Sequence, residues 1–219
     1  MSARGVLLRV DVAGRRVLCV GGGEVAAAKL TGFLDAGAAV DVVAPEAVPA
    51  IVEAAAAGRL RWQQRRYRPS DLDGALLVLA ATADPDLNAA VAADADAVGT
   101  LCIRVDAGGD GSAALLAAVQ RGPLALAVST GGAAPALARR LRRELAERYG
   151  HEYGDLAALL GDLRADATLR ARLAALDAAE RRRRWHAVLD ADLLPLVRAG
   201  RVDEASRRAR AILERGAPH

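Results

Sequence analysis

Three consecutive glycines near the amino terminus begin the motif in this chain that most clearly predicts a chemical function. Gly21, Gly22 and Gly23 begin a G-x-G-x-x-A pattern, which Ala26 completes. The first glycine permits a tight turn, Gly23 lets the backbone approach a pyrophosphate, and Ala26 lets the helix pack close to the strand. The N–H groups and dipole of a helix starting at Glu24-Val25 would bind the phosphates. The pattern predicts a dinucleotide site, although a glycine turn without a ligand would look the same.

The acidic residues after the second predicted strand suit the ribose end of such a site. An acid about 20 positions beyond the glycines is expected to bind the ribose hydroxyls. Pro45 and Glu46 stand slightly beyond that distance, so Glu46 is the candidate and Asp41 is the alternative. A carboxylate there would repel a 2′-phosphate, which favours NAD over NADP. Glu46 would equally suit the start of the next helix.

Residues at the ends of two later strands are further candidates. Ala81 and Thr82 follow one strand, and their small size leaves room for cofactor or substrate. Thr82 or Asp84 would equally cap the helix that follows. Asp106 ends the last strand of the series, at the edge where open α/β sheets bind ligands. Its carboxylate suits a general base, or a cap for the following loop.

A small polar segment before a later helix suits anion binding. Ser129, Thr130 and Gly131 precede a helix that has Pro135 in its first turn. Hydroxyls and free N–H groups at a helix start bind carboxylates. The same residues would form an ordinary N-cap, and the two roles are compatible.

The elements that would position these residues alternate between strands and helices. Helices are predicted from residue 24, from about residue 47 and from residue 85. This alternation implies an α/β fold with a parallel, Rossmann-type sheet and right-handed crossovers. The predicted strands cover residues 7–12, 16–20, 39–43, 60–64, 76–80 and 101–105.

The pattern changes after residue 111. Residues 112–119 and 124–129 predict a hairpin, and a long helix follows at about 133–149. From residue 151 the apolar spacing is helical and the sequence is strongly charged. We therefore expect an NAD-binding Rossmann domain over residues 1–111, a hairpin-plus-helix segment over 112–150 and a helical C-terminal domain over 151–219.

Composition limits the classes of partner. The net charge of +3 combines 30 basic with 27 acidic residues, which gives weak support for nucleic-acid binding. Residues 181–184 are four arginines, and they fit a solvated helix face paired with Asp177 and Glu180 better than a nucleic-acid contact.

The remaining sequence patterns bear on location and metals. No apolar run is long enough to span a membrane, and no signal peptide is expected. Cys19 and Cys102 fall in predicted strands, which favours a reducing cytoplasm. The cysteines and the three histidines lack metal-ligand spacing, so no metal site is expected.

Five runs of residues together resemble the sirohaem synthase dehydrogenase/ferrochelatase family. The resemblance extends in order and spacing over about residues 5–150, and the helical tail is similar more loosely. Its most specific part is R-G-P-L-A-L-A-V-S-T-G-G-A-A-P-A-L-A-R, which ends at Arg139. The matching runs are residues 17–29, 42–45, 80–84 with Asn88, 105–107 and 121–139.

The resemblance implies NAD-dependent oxidation of precorrin-2 to sirohydrochlorin, and in some members insertion of ferrous iron to give sirohaem. It also implies a homodimer, with residues 112–150 as the dimerisation segment and the active site between domains. Asp106 would be the general base, serving both steps in bifunctional members. Ser129 would lie at the active site, and with Thr130, Gly131 and Arg139 it would hold carboxylates of the tetrapyrrole. The chain ends where fused members continue into a methyltransferase domain, as expected of a stand-alone form.

Two departures from the family pattern concern the substrate floor and metal insertion. Gly108 stands where a proline is usual, and Ala113-Ala114 stand where an aromatic residue begins the hairpin. Two rival functions also remain open. An NAD-binding sensor would need neither Asp106 nor Ser129. A dehydrogenase for another small acid would need a histidine or lysine near the nicotinamide, and residues 76–112 contain neither.

Overall fold

The computed structural model describes residues 5–106 and 111–215, which divide into two units. The first unit comprises the residues up to Leu115 together with Gly131–Ala133. The second comprises Leu116–Thr130 and the residues from Ala134 onward. No helix in these two stretches is both long and apolar enough to span a membrane.

A five-stranded parallel sheet organises the first unit. Its strand order is β3-β2-β1-β4-β5, so the chain reverses its direction of travel across the sheet at β1, which lies between β2 and β4. Because the strands are parallel, their carboxyl ends share one edge. The strands are β1 (Arg16–Val20), β2 (Ala39–Val43), β3 (Arg61–Gln63), β4 (Leu77–Ala80) and β5 (Leu101–Arg104). The Rossmann-type sheet predicted from the alternating pattern is confirmed.

Helices cover both faces of this sheet, which is why the strands are apolar on both sides. The helices are α1 (Glu24–Asp35), α2 (Pro49–Ala56) and α3 (Pro85–Ala97), with a 3₁₀ turn at Pro69–Leu72. Val17 and Cys19 face the cluster that contains Leu30 of α1 and Ile51 of α2. Leu18 and Val20 face the opposite cluster, which contains Val91 of α3. The strand period of two thus builds two cores from one strand.

The strand predicted over residues 7–12 is wrong. Residues 5–12 form no regular secondary structure, although apolar and polar residues alternate there. Val6 and Leu8 are 80% and 76% exposed. Alternation of apolar and polar residues is compatible with a strand that is buried on one face, but a strand forms only where a neighbouring strand supplies hydrogen bonds. The edges of the described sheet are β3 and β5.

The second unit combines a hairpin with helices. Strands β6 (Ala117–Arg121) and β7 (Leu124–Val128) pair antiparallel around Gly122-Pro123, which confirms the predicted hairpin with a later first strand. Leu159, Leu163, Leu169 and Leu213 belong to the helical core. The helices are α4 (Pro135–Arg148), α5 (His151–Ala165), α6 (Ala167–Ala174), α7 (Ala178–Asp190), α8 (Leu194–Arg198) and α9 (Val202–Arg215).

Two of the four arginines at residues 181–184 connect α7 to other parts of the helical unit. Arg181 donates to the carbonyls of Leu173 and Leu176, at the end of α6. Arg184 donates to the last carbonyls of α9, at 2.9 and 2.8 Å, and pairs with Glu180. The expected pairing with Glu180 is therefore confirmed. Asp177 instead caps α7 by accepting from the Glu180 N–H at 2.7 Å.

Candidate functional site

The glycine turn follows β1 at the carboxyl edge of the sheet, between the ends of β2 and β4. Gly21 has a φ of +122°, and a Cβ on it would collide with the carbonyl oxygen of Ala81. A Cβ on Gly22 would collide with the carbonyl oxygen of Glu46. The sequence pattern gave a reason for Gly21 but none for Gly22. Both positions require glycine because the backbones of the loops after β4 and β2 pack directly against the turn and leave no room for a Cβ atom.

Gly23 differs from the other two glycines because its side-chain position is open. It has an ordinary φ of −83°, and a Cβ on it would meet no atom within 4 Å. Gly23 is the N-cap of α1, and no side chain caps this helix start. Glu24 and Val25 follow in its exposed first turn. The first N–H groups of α1 thus border an open space, which fits the pyrophosphate of a dinucleotide.

The loop after β2 carries an exposed carboxylate. Pro45 and Glu46 are both exposed, and α2 begins only at Pro49, so Glu46 does not start that helix. The Trp62 indole fixes the loop by donating from Nε1 to the carbonyl of Ala44 at 3.0 Å. Glu46 therefore lies at the sheet edge where a side chain that binds the ribose hydroxyls is expected.

Asp41, the alternative ribose ligand, serves the sheet instead. It is the central residue of β2 and is 4% exposed. The Arg16 guanidinium donates to its Oδ2 at 2.7 Å, and Arg61 pairs with its Oδ1 at 3.4 Å. The carboxylate is therefore held two residues before the strand ends, and a role at the ribose is excluded by its position.

The turn after β4 is held by a buried asparagine. Asn88 of α3 is fully buried. Its Oδ1 accepts from the Thr82 backbone N–H at 3.0 Å and from the Thr82 hydroxyl at 2.8 Å, and its Nδ2 donates to the Thr82 carbonyl at 3.0 Å. Asp84 caps α3 by accepting from the N–H groups of Asp86 and Leu87. Ala81 and Thr82 thus lie in a turn that Asn88 fixes from beneath.

Replacing Asn88 by alanine is expected to lower the free energy of unfolding by about 2–4 kcal/mol, because three hydrogen bonds disappear and buried groups of Thr82 lose their partner. Urea denaturation followed by circular dichroism measures the change. Thr82→Val is the matched control, since it removes the hydroxyl alone and should lose about 1 kcal/mol. A loss below about 0.5 kcal/mol for Asn88→Ala would show that the turn after β4 is stable without the hydrogen bonds of Asn88.

Asp106 lies two residues beyond the end of β5 and is paired with Arg104. The Arg104 guanidinium donates to both carboxylate oxygens, from Nε at 3.2 Å and from Nη2 at 3.0 Å. This hydrogen bonding is the largest cause of the lowered pKa of Asp106. Burial acts in the opposite direction, and the Asn88 side chain adds a lesser lowering. Asp106 is therefore a carboxylate throughout the neutral range, with 24% of its side chain exposed.

Two groups of predicted residues lie at different places in the chain. The first unit brings the glycine turn, Glu46, Thr82 and Asp106 to one sheet edge. Ser129 and Thr130 follow β7, where the Thr130 hydroxyl accepts from the Ala134 N–H at 3.2 Å. Gly131 has a φ of +60°, and Arg139 is exposed on α4.

The remaining predictions concern the substrate floor and metals. Gly108 lies outside the described residues, and Ala113 packs partly buried against the sheet core. Burial raises the pKa of Cys19 to about 12, which keeps it a protonated thiol. Within residues 5–106 and 111–215, no cluster of three or more His, Cys, Asp or Glu side chains is arranged to hold a metal ion.

Family models match the two parts of the chain separately. A model described as putative NAD(P)-binding matches residues 8–116. A model of the sirohaem biosynthesis protein central region matches residues 121–148. The first match contains the sheet with its glycine turn, and the second contains β7 and α4.

Individual relatives extend the similarity over almost the whole chain. A siroheme synthase from Chromobacterium violaceum is 44% identical over 195 residues, which are 89% of this chain and 40% of the relative. One from Pseudomonas putida is 42% identical over 207 residues, 94% of this chain and 43% of the relative. The chain thus spans about two fifths of the length of these curated relatives. A solved structure named SirC, precorrin-2 dehydrogenase, aligns with a TM-score of 0.73 and 30% identity, covering 96% of this chain and 99% of that one.

Proposed function

The chain belongs to the family of siroheme synthases and precorrin-2 dehydrogenases, and we propose on this premise that it oxidises precorrin-2 to sirohydrochlorin with NAD. The observation that carries the proposal is the position of Asp106, an ionised carboxylate at the same sheet edge as an open dinucleotide-type turn. A sensor that only binds NAD would need no such base, so the enzymatic function is preferred over a sensor function.

The residues of the first unit supply the cofactor site. The open face of Gly23 and the first N–H groups of α1, at Glu24 and Val25, would bind the pyrophosphate. Glu46 would bind the ribose hydroxyls beside Pro45 and repel a 2′-phosphate, which selects NAD. Gly21 and Gly22 would shape the turn, while Ala81 and Thr82 would form the floor under the nicotinamide half. When bound, NAD supplies the hydride acceptor.

Asp106 would take the proton that accompanies the hydride. Oxidation of precorrin-2 removes two hydrogens, one as a hydride and one as a proton. A carboxylate of lowered pKa is already ionised at neutral pH, so it is ready to accept that proton. Arg104 fixes its orientation by donating to both carboxylate oxygens.

The segment after β7 and helix α4 would bind the substrate arms. Precorrin-2 is a polycarboxylate, and Ser129, Thr130, Gly131 and Arg139 offer hydroxyls, N–H groups and a guanidinium to carboxylates. We assign residues 112–150 to the contact of a homodimer and residues 151–219 to a helical C-terminal domain. The proposed location is the cytoplasm. In family members that also use ferrous iron as a substrate, the resemblance assigns proton acceptance to the same aspartate.

The purified protein is expected to form NADH when it is mixed with precorrin-2 and NAD under anaerobic conditions. Absorbance at the NADH band and the spectrum of the macrocycle follow the two products together. NAD should support a rate at least about tenfold above that with NADP, because Glu46 repels the added phosphate. If precorrin-2 remains unoxidised with either cofactor, the proposed function is wrong.

A further inference from the structure

Arg104 is a charged residue in a strand that is otherwise built of Leu101, Cys102 and Ile103. β5 ends at Arg104, and the bend that follows brings Asp106 beside it. The guanidinium binds both carboxylate oxygens, a bidentate arrangement that is stronger and more directional than a single contact. Its side chain is only 15% exposed. The Arg104 side chain is thus largely shielded from water, whereas Asp106 lies on the exposed side of the pair.

Among residues 5–106 and 111–215, the other side chains that act on the pKa of Asp106 or respond to its charge are uncharged. Asn88 of α3 is a neutral amide that lowers the pKa of Asp106. Burial raises the pKa of the Cys102 thiol on β5, and the Asp106 carboxylate raises that pKa to a lesser extent, so Cys102 is a neutral thiol. Asp106 and Arg104 thus form a pair with no net charge, where Asp106 alone would present one full negative charge.

We propose that Arg104 restricts Asp106 to the oxidation of precorrin-2 and suppresses the insertion of a divalent metal ion into the product. This inference rests on the proposed function and concerns the second reaction of the same site. A neutral ion pair attracts a divalent cation much less than a lone carboxylate does.

The proton balance of the two reactions separates them further. Oxidation transfers a hydride to NAD and releases one proton from a macrocycle that hydride loss has left electron-poor. Metal insertion replaces two pyrrole N–H protons of the uncharged sirohydrochlorin ring by one divalent ion, and both protons must be accepted by a base. A carboxylate that is hydrogen-bonded to a guanidinium is a weaker base. Such a base can still accept the acidic proton released in the oxidation, but it accepts the less acidic pyrrole N–H protons poorly.

The test compares Arg104→Gln, which keeps a planar hydrogen-bond donor without charge, with the wild-type protein. Sirohydrochlorin prepared separately is mixed with Co²⁺ in the absence of NAD, and the absorption of the metallated macrocycle is followed. We expect Arg104→Gln to insert Co²⁺ at least about tenfold faster than wild type. Arg104→Lys should keep insertion slow because it retains the positive charge. Arg61→Gln is the matched control, since Arg61 also pairs with a strand aspartate, Asp41.

The pH profile supplies a readout that a structural role would not move. The acid limb of kcat/KM for precorrin-2 oxidation should shift to higher pH in Arg104→Gln and stay in place in Arg61→Gln. Equal insertion rates for wild type and Arg104→Gln, including no insertion by either, would overturn the role of Arg104. Because the insertion assay uses ready-made sirohydrochlorin without NAD, it is independent of the NADH assay. If Arg104→Gln does not fold, Arg104→Val replaces it, since a β-branched residue suits the strand.

Discussion

Replacing Asp106 by asparagine is expected to lower kcat for precorrin-2 oxidation by about 10²- to 10⁴-fold, the usual contribution of a positioned general base. Asparagine keeps the size of the side chain and can still accept a hydrogen bond from Arg104, but it cannot take a proton. NAD binding should be unchanged, because the cofactor groups lie on the glycine turn and the loop after β2. Steady-state rates of NADH formation and calorimetric titration with NAD measure the two properties separately.

Asp86→Asn is the control for this prediction. Asp86 is an exposed carboxylate in the first turn of α3, close in sequence to the same edge but without a contact to Asp106 in the described structure. Its replacement should leave kcat within about twofold, as for an ordinary surface change. An Asp106→Asn protein with full activity would remove the assigned base while leaving the cofactor site untouched.

The pH dependence of the wild-type protein follows from the same pair. A base must be unprotonated to act, so kcat/KM falls as the pH drops through the pKa of Asp106. Arg104 hydrogen bonding holds this pKa below the ordinary aspartate value of about 3.9. The activity should therefore stay on its plateau from neutrality down through mildly acidic pH, as far as the fold itself persists.

The sequence contained enough information for the five strands of the sheet, but its pattern also predicted one strand that does not form. Continuous apolar runs and the glycine punctuation predicted all five strands of the Rossmann-type sheet, because parallel strands buried on both faces have that composition. Residues 7–12 had a plausible strand pattern and no partner. Pairing is a tertiary property, and local alternation cannot supply it.

The site was predicted less completely, and the missed residues show why. Arg104 stands two residues before Asp106, so strand alternation alone would have placed both on one face. Asn88 precedes Val91 and Ala95 by three and seven residues, which puts a polar group on the buried face of α3. Such a residue must find partners inside the protein. Asp41 was left open because distance along the chain does not reveal its pairing with Arg16 across the sheet.

Gly23→Glu is expected to weaken NAD binding by at least about 100-fold while the protein remains folded. A side chain at this position meets no atom within 4 Å, and the φ of −83° suits any residue, so the fold has room for it. The new carboxylate would sit at the start of α1, where it would itself benefit from the helix dipole and exclude the pyrophosphate. Calorimetric titration with NAD and urea denaturation of the same sample measure affinity and stability.

Two further variants separate charge, volume and fold. Gly23→Gln adds the same volume without charge, so a smaller loss of affinity than in Gly23→Glu would isolate the electrostatic part. Gly21→Ala should instead destabilise the fold by about 3 kcal/mol or more, since its φ of +122° and the carbonyl of Ala81 both exclude a Cβ. Two glycines of one turn would then have different reasons: Gly21 would be required by the protein backbone and Gly23 by the cofactor. Wild-type affinity for NAD in Gly23→Glu would mean that the pyrophosphate does not lie at this turn.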